Sequence, residues 1–445
     1  MLRKIFTLFM LCILFTGCTA KEEQEQANVT LKVLAWNETV FNRQYGNFFL
    51  ATHPNYTLEV ISIIENMEPM TDITKTIEEL LVKENPDVIS IPMESYVVLK
   101  DEGKLSSLTK PLQGANFDLT GFSPAIIDFL RDEQGELYGL TPVFTGQALY
   151  YNKSLFDQYG IAYPHDFMTW EEMFKLAEQF PAVNENHEPQ YRLYHRDSSN
   201  PFMMALKVGE SSGLSFNNSE HITLNTESWK QIFENVTDCF KTKACYDPNQ
   251  APSGDSMKMK DIKEMEPIWY PFLRGNIAMA LDESTLYRTL MSKSGEPGAK
   301  PLAWEWGMAT LPVSADTPHM GNGVYMNDIF AIPLGVKETE GALEFIQYIC
   351  GESYAKLLPQ INMTDLPTRP NLEVMDEPLK SFYKLEQVNV TLINQLRKFP
   401  ASFLPKIDEI SQKHMEKIMS DQSTVRESLQ SMEEELEQAL RQSGN

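Results

Sequence analysis

Val29 to Trp36 is a β-rich run, and Thr71 to Glu84 follows it with Ile73, Ile77, Leu80 and Leu81 at helical spacing. Asn85-Pro86 stops that helix, and Asp87 to Ile91 reads as a second strand. This spacing constrains the chain more than any other feature. Parallel neighbours need a crossover of about a dozen residues or more, and a helix is the usual one. The grammar then recurs. Ala148 to Tyr151 reads as a strand, and Ser154 to Tyr159 as a helix ended by Gly160. Thr169-Trp170-Glu171-Glu172 is a capping box opening a helix through Phe180. Asn276 to Leu281, Gly307 to Leu311 and Ile329 to Ile332 read as further strands. A helix from Glu340 presents Ala342, Phe345, Ile346 and Ile349 before Gly351. Thr424 and Glu427 cap a last helix whose stripe, Val425, Leu429, Met432, Leu436 and Leu440, docks on the body. The expected fold class is α/β, built on mostly parallel sheets flanked by helices.

The N-terminus has its own character. Arg3 and Lys4 precede an apolar run from Ile5 to Phe15, too short to span a bilayer. Leu14-Phe15-Thr16-Gly17-Cys18 closes it and resembles the lipobox of bacterial lipoproteins, with Phe15 where that family usually has Leu. The resemblance implies cleavage after residue 17, a diacylglycerol on Cys18, and a protein held on the outer face of the cell membrane. Residues 18–27 are polar and read as a tether. Roughly 425 residues remain, enough for two domains.

The formal charge of the chain is −24, and losing Arg3 and Lys4 makes the mature chain more negative. No basic stripe is available to displace counterions from phosphates, so nucleic acid is not expected as a partner. Of five cysteines, Cys12 lies in the signal. Cys239 and Cys245 flank a short loop that an oxidising compartment permits a disulfide to close; spacing alone leaves that open. Cys350 lies on an apolar helical face and reads as a buried thiol.

Several segments in order resemble the extracellular solute-binding proteins of ABC importers, the group that includes maltose-binding proteins. They are the first strand, Pro86 to Ile89, Gly135 to Pro142, Leu149 to Phe156, Thr169 to Glu172, Phe272 to Met279, the Ala342 to Ile349 helix, and Leu366 to Arg369. The resemblance implies two α/β lobes around a central cleft. Lobe one is expected at 28–141 plus 313–350, lobe two at 142–306 plus 351–445, with a hinge crossing at 307–312. It also implies a monomer that captures a solute, a sugar first, and delivers it to permease subunits.

In open α/β folds a ligand sits beyond the carboxyl ends of the strands. That rule selects Trp36, Asn37 and Glu38 after the first strand, and Glu94 and Tyr96 after Ile91. It also selects Phe144, Trp269, Tyr270, Asp282 and Glu283, with Asn322, Tyr325 and Asp328 between the late strands. Carboxylates and amides exchange hydrogen bonds with hydroxyls, and aromatic faces cover the C–H face of a pyranose. A cationic solute is the alternative that an acidic cleft allows.

Other chemistry finds little support. Gly209-Glu210-Ser211-Ser212-Gly213 matches the nucleophile-elbow pattern, but Leu-Ser-Phe-Asn-Asn after it is a poor helix start, and a surface loop is expected. The seven His show no metal-ligand spacing, and neither a metal nor a cofactor is expected. Two other functions compete. An anchored glycoside hydrolase would use a carboxylate pair such as Glu94 and Asp282. A sensor or adhesin would use the same scaffold without transport.

Overall fold

The computed structural model describes residues 28–443 except 69–71, 197–199, 218–220, 248–261, 296–301, 362–364, 390–391, 393–395, 397–398 and 401. Cys18 and the tether at 18–27 lie outside the described residues.

β1 (Val29–Ala35), β2 (Tyr56–Ser62) and β3 (Val88–Ile91) are parallel neighbours in the first sheet. The helix Ile73–Glu84 makes the crossover between β2 and β3. Asp72 caps it by accepting from the Thr74 and Lys75 amides, Ile77 and Leu80 bury its inner face, and left-handed Asn85 ends it. β4 (Gly139–Leu140) and, far along the chain, β11 (Ile329–Ala331) complete the sheet in the order β2-β1-β3-β11-β4. β11 is antiparallel to both its neighbours. β3 is buried at every position, as a central strand covered on both faces must be.

The second sheet is organised on β5 (Val143–Asn152). β6 (Tyr191–His195) runs parallel to β7 (Ile277–Glu283), and β7 is antiparallel to β5. β8 (Trp306–Ala309) pairs with the far half of β5. A short pair, β9 (Met320–Gly321) with β13 (Gln387–Val388), stands apart. β10 (Val324–Tyr325) and β12 (Leu366–Pro367) pair with the near half of β5. Alternate residues of β5 face opposite sides. Ala148 and Tyr150 join the cluster that also holds the first sheet's core, and Leu149 and Tyr151 join a second cluster. Over that second face pack the helices Pro201–Ser211, Glu227–Lys241, Leu404–Met419 and Val425–Ser443. A disulfide joins Cys239 and Cys245 at its edge, and Cys350 is a buried free thiol.

The chain passes between the sheets at places set by pairing. Thr141-Pro142 joins β4 to β5. The return passes through Met326–Asp328, between β10 and β11. β5 is ten residues long, so after β8 it still has a free stretch, and β10 takes it at Gly146 and Thr145. Val313 also bridges to Thr169, which keeps this segment with the second sheet. Past Cys350-Gly351 the chain stays beside the first sheet's helices. Tyr354 packs against Tyr45 and Phe48 and donates to the Gln44 carbonyl. The second sheet is regained at β12, where the Thr368 amide donates to the Pro142 carbonyl at 2.9 Å and its hydroxyl to that of Thr141 at 2.6 Å.

Candidate functional site

Trp36 leaves β1 at its carboxyl end, and Asn37 caps the helix that follows by accepting from the Val40 amide at 3.0 Å. The helix starts as Glu38–Phe41, widens to a π turn over Asn42–Gly46, and resumes as Asn47–Thr52. Such turns gather at functional sites. One side of it, Asn37, Val40, Phe41, Gln44 and Tyr45, walls a cleft of about 430 Å³, within the ordinary range for small-molecule sites. Ser90 and Pro92, at the end of β3, contribute to the lining, and Ile63 and Ile73 add apolar surface. Asn327, Asp328 and Asp365 complete it. Asp328 lies in one passage between the sheets, and Asp365 stands just before β12.

Asp328 is held on both oxygens, accepting from the Tyr45 hydroxyl at 2.9 Å and from the Ser90 hydroxyl at 2.9 Å. Burial pushes its carboxyl above the ordinary value, the two donors pull it back, and the charge of Asp365 adds to the rise. Burial likewise raises the Tyr45 phenol, with the Asp328 charge acting the same way. Asp365 accepts from the Thr145 hydroxyl of β5 at 3.0 Å. The cleft therefore combines carboxylates and amides with a half-exposed indole; Trp36 is 42% accessible.

Of the residues chosen from sequence, Trp36, Asn37 and Asp328 line this cleft. Glu38 is exposed in the first turn of the neighbouring helix, and Glu94 is half-buried in the first turn of Met93–Asp101; neither is among the lining residues. Tyr96 and Phe144 are core residues. The Tyr96 hydroxyl donates to the Leu130 carbonyl, and Phe144 packs edge-on against Tyr383. Asn322 donates to the Lys207 carbonyl and to Glu210, and Tyr325 accepts from Lys207 at 3.0 Å.

A second group forms where β6 and β7 end side by side. Arg196 donates to Asp282 at 3.1 Å, approaches Glu283 at 3.5 Å, and lies over the Tyr270 ring. Trp269 precedes Tyr270 and is 48% accessible. Burial lifts the Asp282 carboxyl to about 7 against the pull of Arg196. Among the described residues its Oδ2 has no hydrogen-bond partner. Burial opposes the charge on Arg196, but Asp282 and Glu283 outweigh it.

Sequence reasoning missed Phe41, Gln44, Tyr45, Ser90, Asn327 and Asp365. The first three recur at helical spacing from Asn37, so the pattern was there to find. Asp365 carries no comparable local signal.

Gly209 to Ser211 are not in a surface loop; only Ser212 and Gly213 form the turn that follows. The first three close the helix Pro201–Ser211, where Gly209 lies under the Trp229 ring and the buried Ser211 hydroxyl is bonded to Trp170 and to helix carbonyls. No strand delivers that serine, as a nucleophile elbow requires.

The family of bacterial extracellular solute-binding proteins matches residues 46–380. The chain belongs to this family. Membership makes it an extracellular binding protein, in line with the expectation drawn from its motifs. Among similar solved structures is a sugar transporter from Rhizobium etli in an open conformation, 20% identical with a TM-score of 0.62, covering 92% of this chain and 98% of that one. The sugar-binding protein MalE of Xanthomonas citri is 16% identical with a TM-score of 0.65, covering 93% and 98%. An ABC transporter solute-binding protein from Agrobacterium vitis with bound D-mannitol is 17% identical with a TM-score of 0.58, covering 94% and 99%. These likenesses support the two-lobed α/β fold of this solute-binding protein. Among the described residues no helix is long and apolar enough to cross a membrane, and no cluster of metal-ligating side chains occurs.

Proposed function

We propose that this protein captures a sugar or polyol in the cleft and delivers it to the permease of an ABC importer. The observation that carries the reading is the cleft itself. An indole, three side-chain amides and two carboxylates meet beside the passages between the sheets. Hydroxyl groups pair with such amides and carboxylates, and an indole covers a sugar's C–H face. Similar folds bind solutes of this class, D-mannitol among them.

The two sheets act as the cores of two lobes. We place the hinge at Thr141-Pro142, Met326–Asp328 and the stretch before β12, because the chain changes sheet there. Lobe two presents the group around Arg196, Asp282, Glu283, Tyr270 and Trp269. Solute touching both lobes shifts the population toward the closed form. The protein acts as a monomer. A diacylglycerol on Cys18 keeps it near the permease and raises its effective concentration there.

The test is thermal unfolding of protein lacking residues 1–18 with a panel of sugars, polyols, amines and peptides. A true solute at a hundred times its Kd adds about 2.7 kcal/mol of stability and is recovered unchanged. A panel in which no sugar or polyol raises the melting temperature would sink the proposal.

A further inference from the structure

The charge around the cleft goes further than its hydrogen-bonding chemistry. Asp328 and Asp365 both line it, and among the described residues no Lys, Arg or His lines it. Asp328 is half-buried, so its field is only partly screened by solvent. At the ends of β6 and β7 Arg196 is engaged by Asp282 and Glu283, so it offers an anion no unopposed positive charge. Trp36 supplies a further element, since the face of an accessible indole attracts cations. An ammonium group is attracted by both the carboxylates and the ring, and a carboxylate or phosphate is repelled.

We propose that the cleft sorts hydroxylated solutes by charge, taking an amino sugar or amino polyol ahead of its neutral parent and rejecting its anionic counterpart. Asp365 and Asp328 set this order. The inference rests on the proposed function above, since it concerns the same cleft.

Calorimetric titration of glucose, glucosamine and glucuronate, with galactose, galactosamine and galacturonate beside them, separates the two claims. The amine of a binding pair is expected to bind about tenfold tighter than its neutral parent, the scale of one added charge contact, and the acid not measurably. In Asp365→Asn, and independently in Asp328→Asn, the amine-to-neutral ratio falls toward unity. The melting temperature of each variant without solute establishes that it is folded. A neutral sugar that binds as well as its amine overturns the charge order and leaves the sugar-binding reading standing. So does silence of both amines while another neutral sugar or polyol binds. Silence of every sugar, amine and polyol overturns both.

Discussion

The Tyr45 hydroxyl donates to Asp328 at 2.9 Å, joining the π turn behind β1 to a passage between the sheets 283 residues further on. Ser90 at the end of β3 holds the other carboxylate oxygen. Three separate pieces of chain thus meet on one half-buried carboxylate in the cleft. Tyr45 also packs edge-on against Phe330 of β11, so its position is set by core packing as well as by the bond. In the proposed role of Asp328 as a solute contact, the carboxylate is thereby fixed before solute arrives, which lowers the ordering cost of binding.

Removing only the Tyr45 hydroxyl tests this arrangement. Tyr45→Phe keeps the ring in its packing and leaves Asp328 Oδ2 without its donor. The cost of an unsatisfied buried acceptor is about 1–3 kcal/mol. We expect urea unfolding to show a loss in that range and solute affinity to fall with it. An unchanged midpoint would mean that water replaces the hydroxyl at no cost.

Asp282 provides a pH test. Its folded-state carboxyl lies at about 7 against an unfolded value of 3.8. Between these values the folded form holds a proton that the unfolded chain has released. By linkage, this group's contribution to stability is present below the unfolded value, declines as pH rises through the window, and is lost above the folded value. Asp282→Asn removes the titration. The stability of the native protein relative to this variant should therefore decline as pH is raised from about 4 to about 7 and then level off. A difference independent of pH across that window would show that Arg196 keeps Asp282 ionised throughout.

How much of this was legible follows from which forces fix each element. β3 and the helix Thr339–Ile349 are strongly patterned, with apolar positions at the strand and helix periods, and both were readable directly. β2 was overlooked although Tyr56-Thr57-Leu58-Glu59-Val60 alternates apolar and polar; what places it is its seven register pairs with β1. The near half of β5 was missed because β10 and β12 stabilise it from distant parts of the chain. The cleft divides in the same way. Trp36 and Asn37 follow a recognisable strand end. Asp365 enters through a bond to Thr145, 220 residues away, and no local pattern announces such a meeting.

The glycine of the apparent nucleophile motif is a packing residue, and a single methyl group shows it. A Cβ on Gly209 would lie 2.1 Å from carbons of the Trp229 ring. That ring is buried in the second cluster and cannot swing into solvent. Gly209→Ala should therefore destabilise by about 1–3 kcal/mol, the usual cost of overpacking. Ser211→Ala, which loses the Trp170 partner, should also lower stability while leaving solute binding intact. Loss of binding without loss of stability in either variant would return this segment to the functional site.

Trp36 offers the reverse case, a large residue whose removal should spare the fold. It is 42% accessible and lines the cleft beside Asn37. Truncating a partly exposed ring gives up little burial, so Trp36→Ala should unfold within about 0.5 kcal/mol of the parent. In the proposed bound state the same ring covers an apolar face of the solute, and losing an aromatic anchor of this kind costs about 2 kcal/mol. Affinity should then fall by a factor of about 30 at constant stability. Trp36→Phe should recover part of the loss, since a smaller ring still covers the C–H face. Titration of both variants alongside their unfolding curves decides the matter. If Trp36→Ala binds as the parent does, the ring is only a rim residue, and the apolar contact must come from Trp269 or Tyr270 in the other lobe.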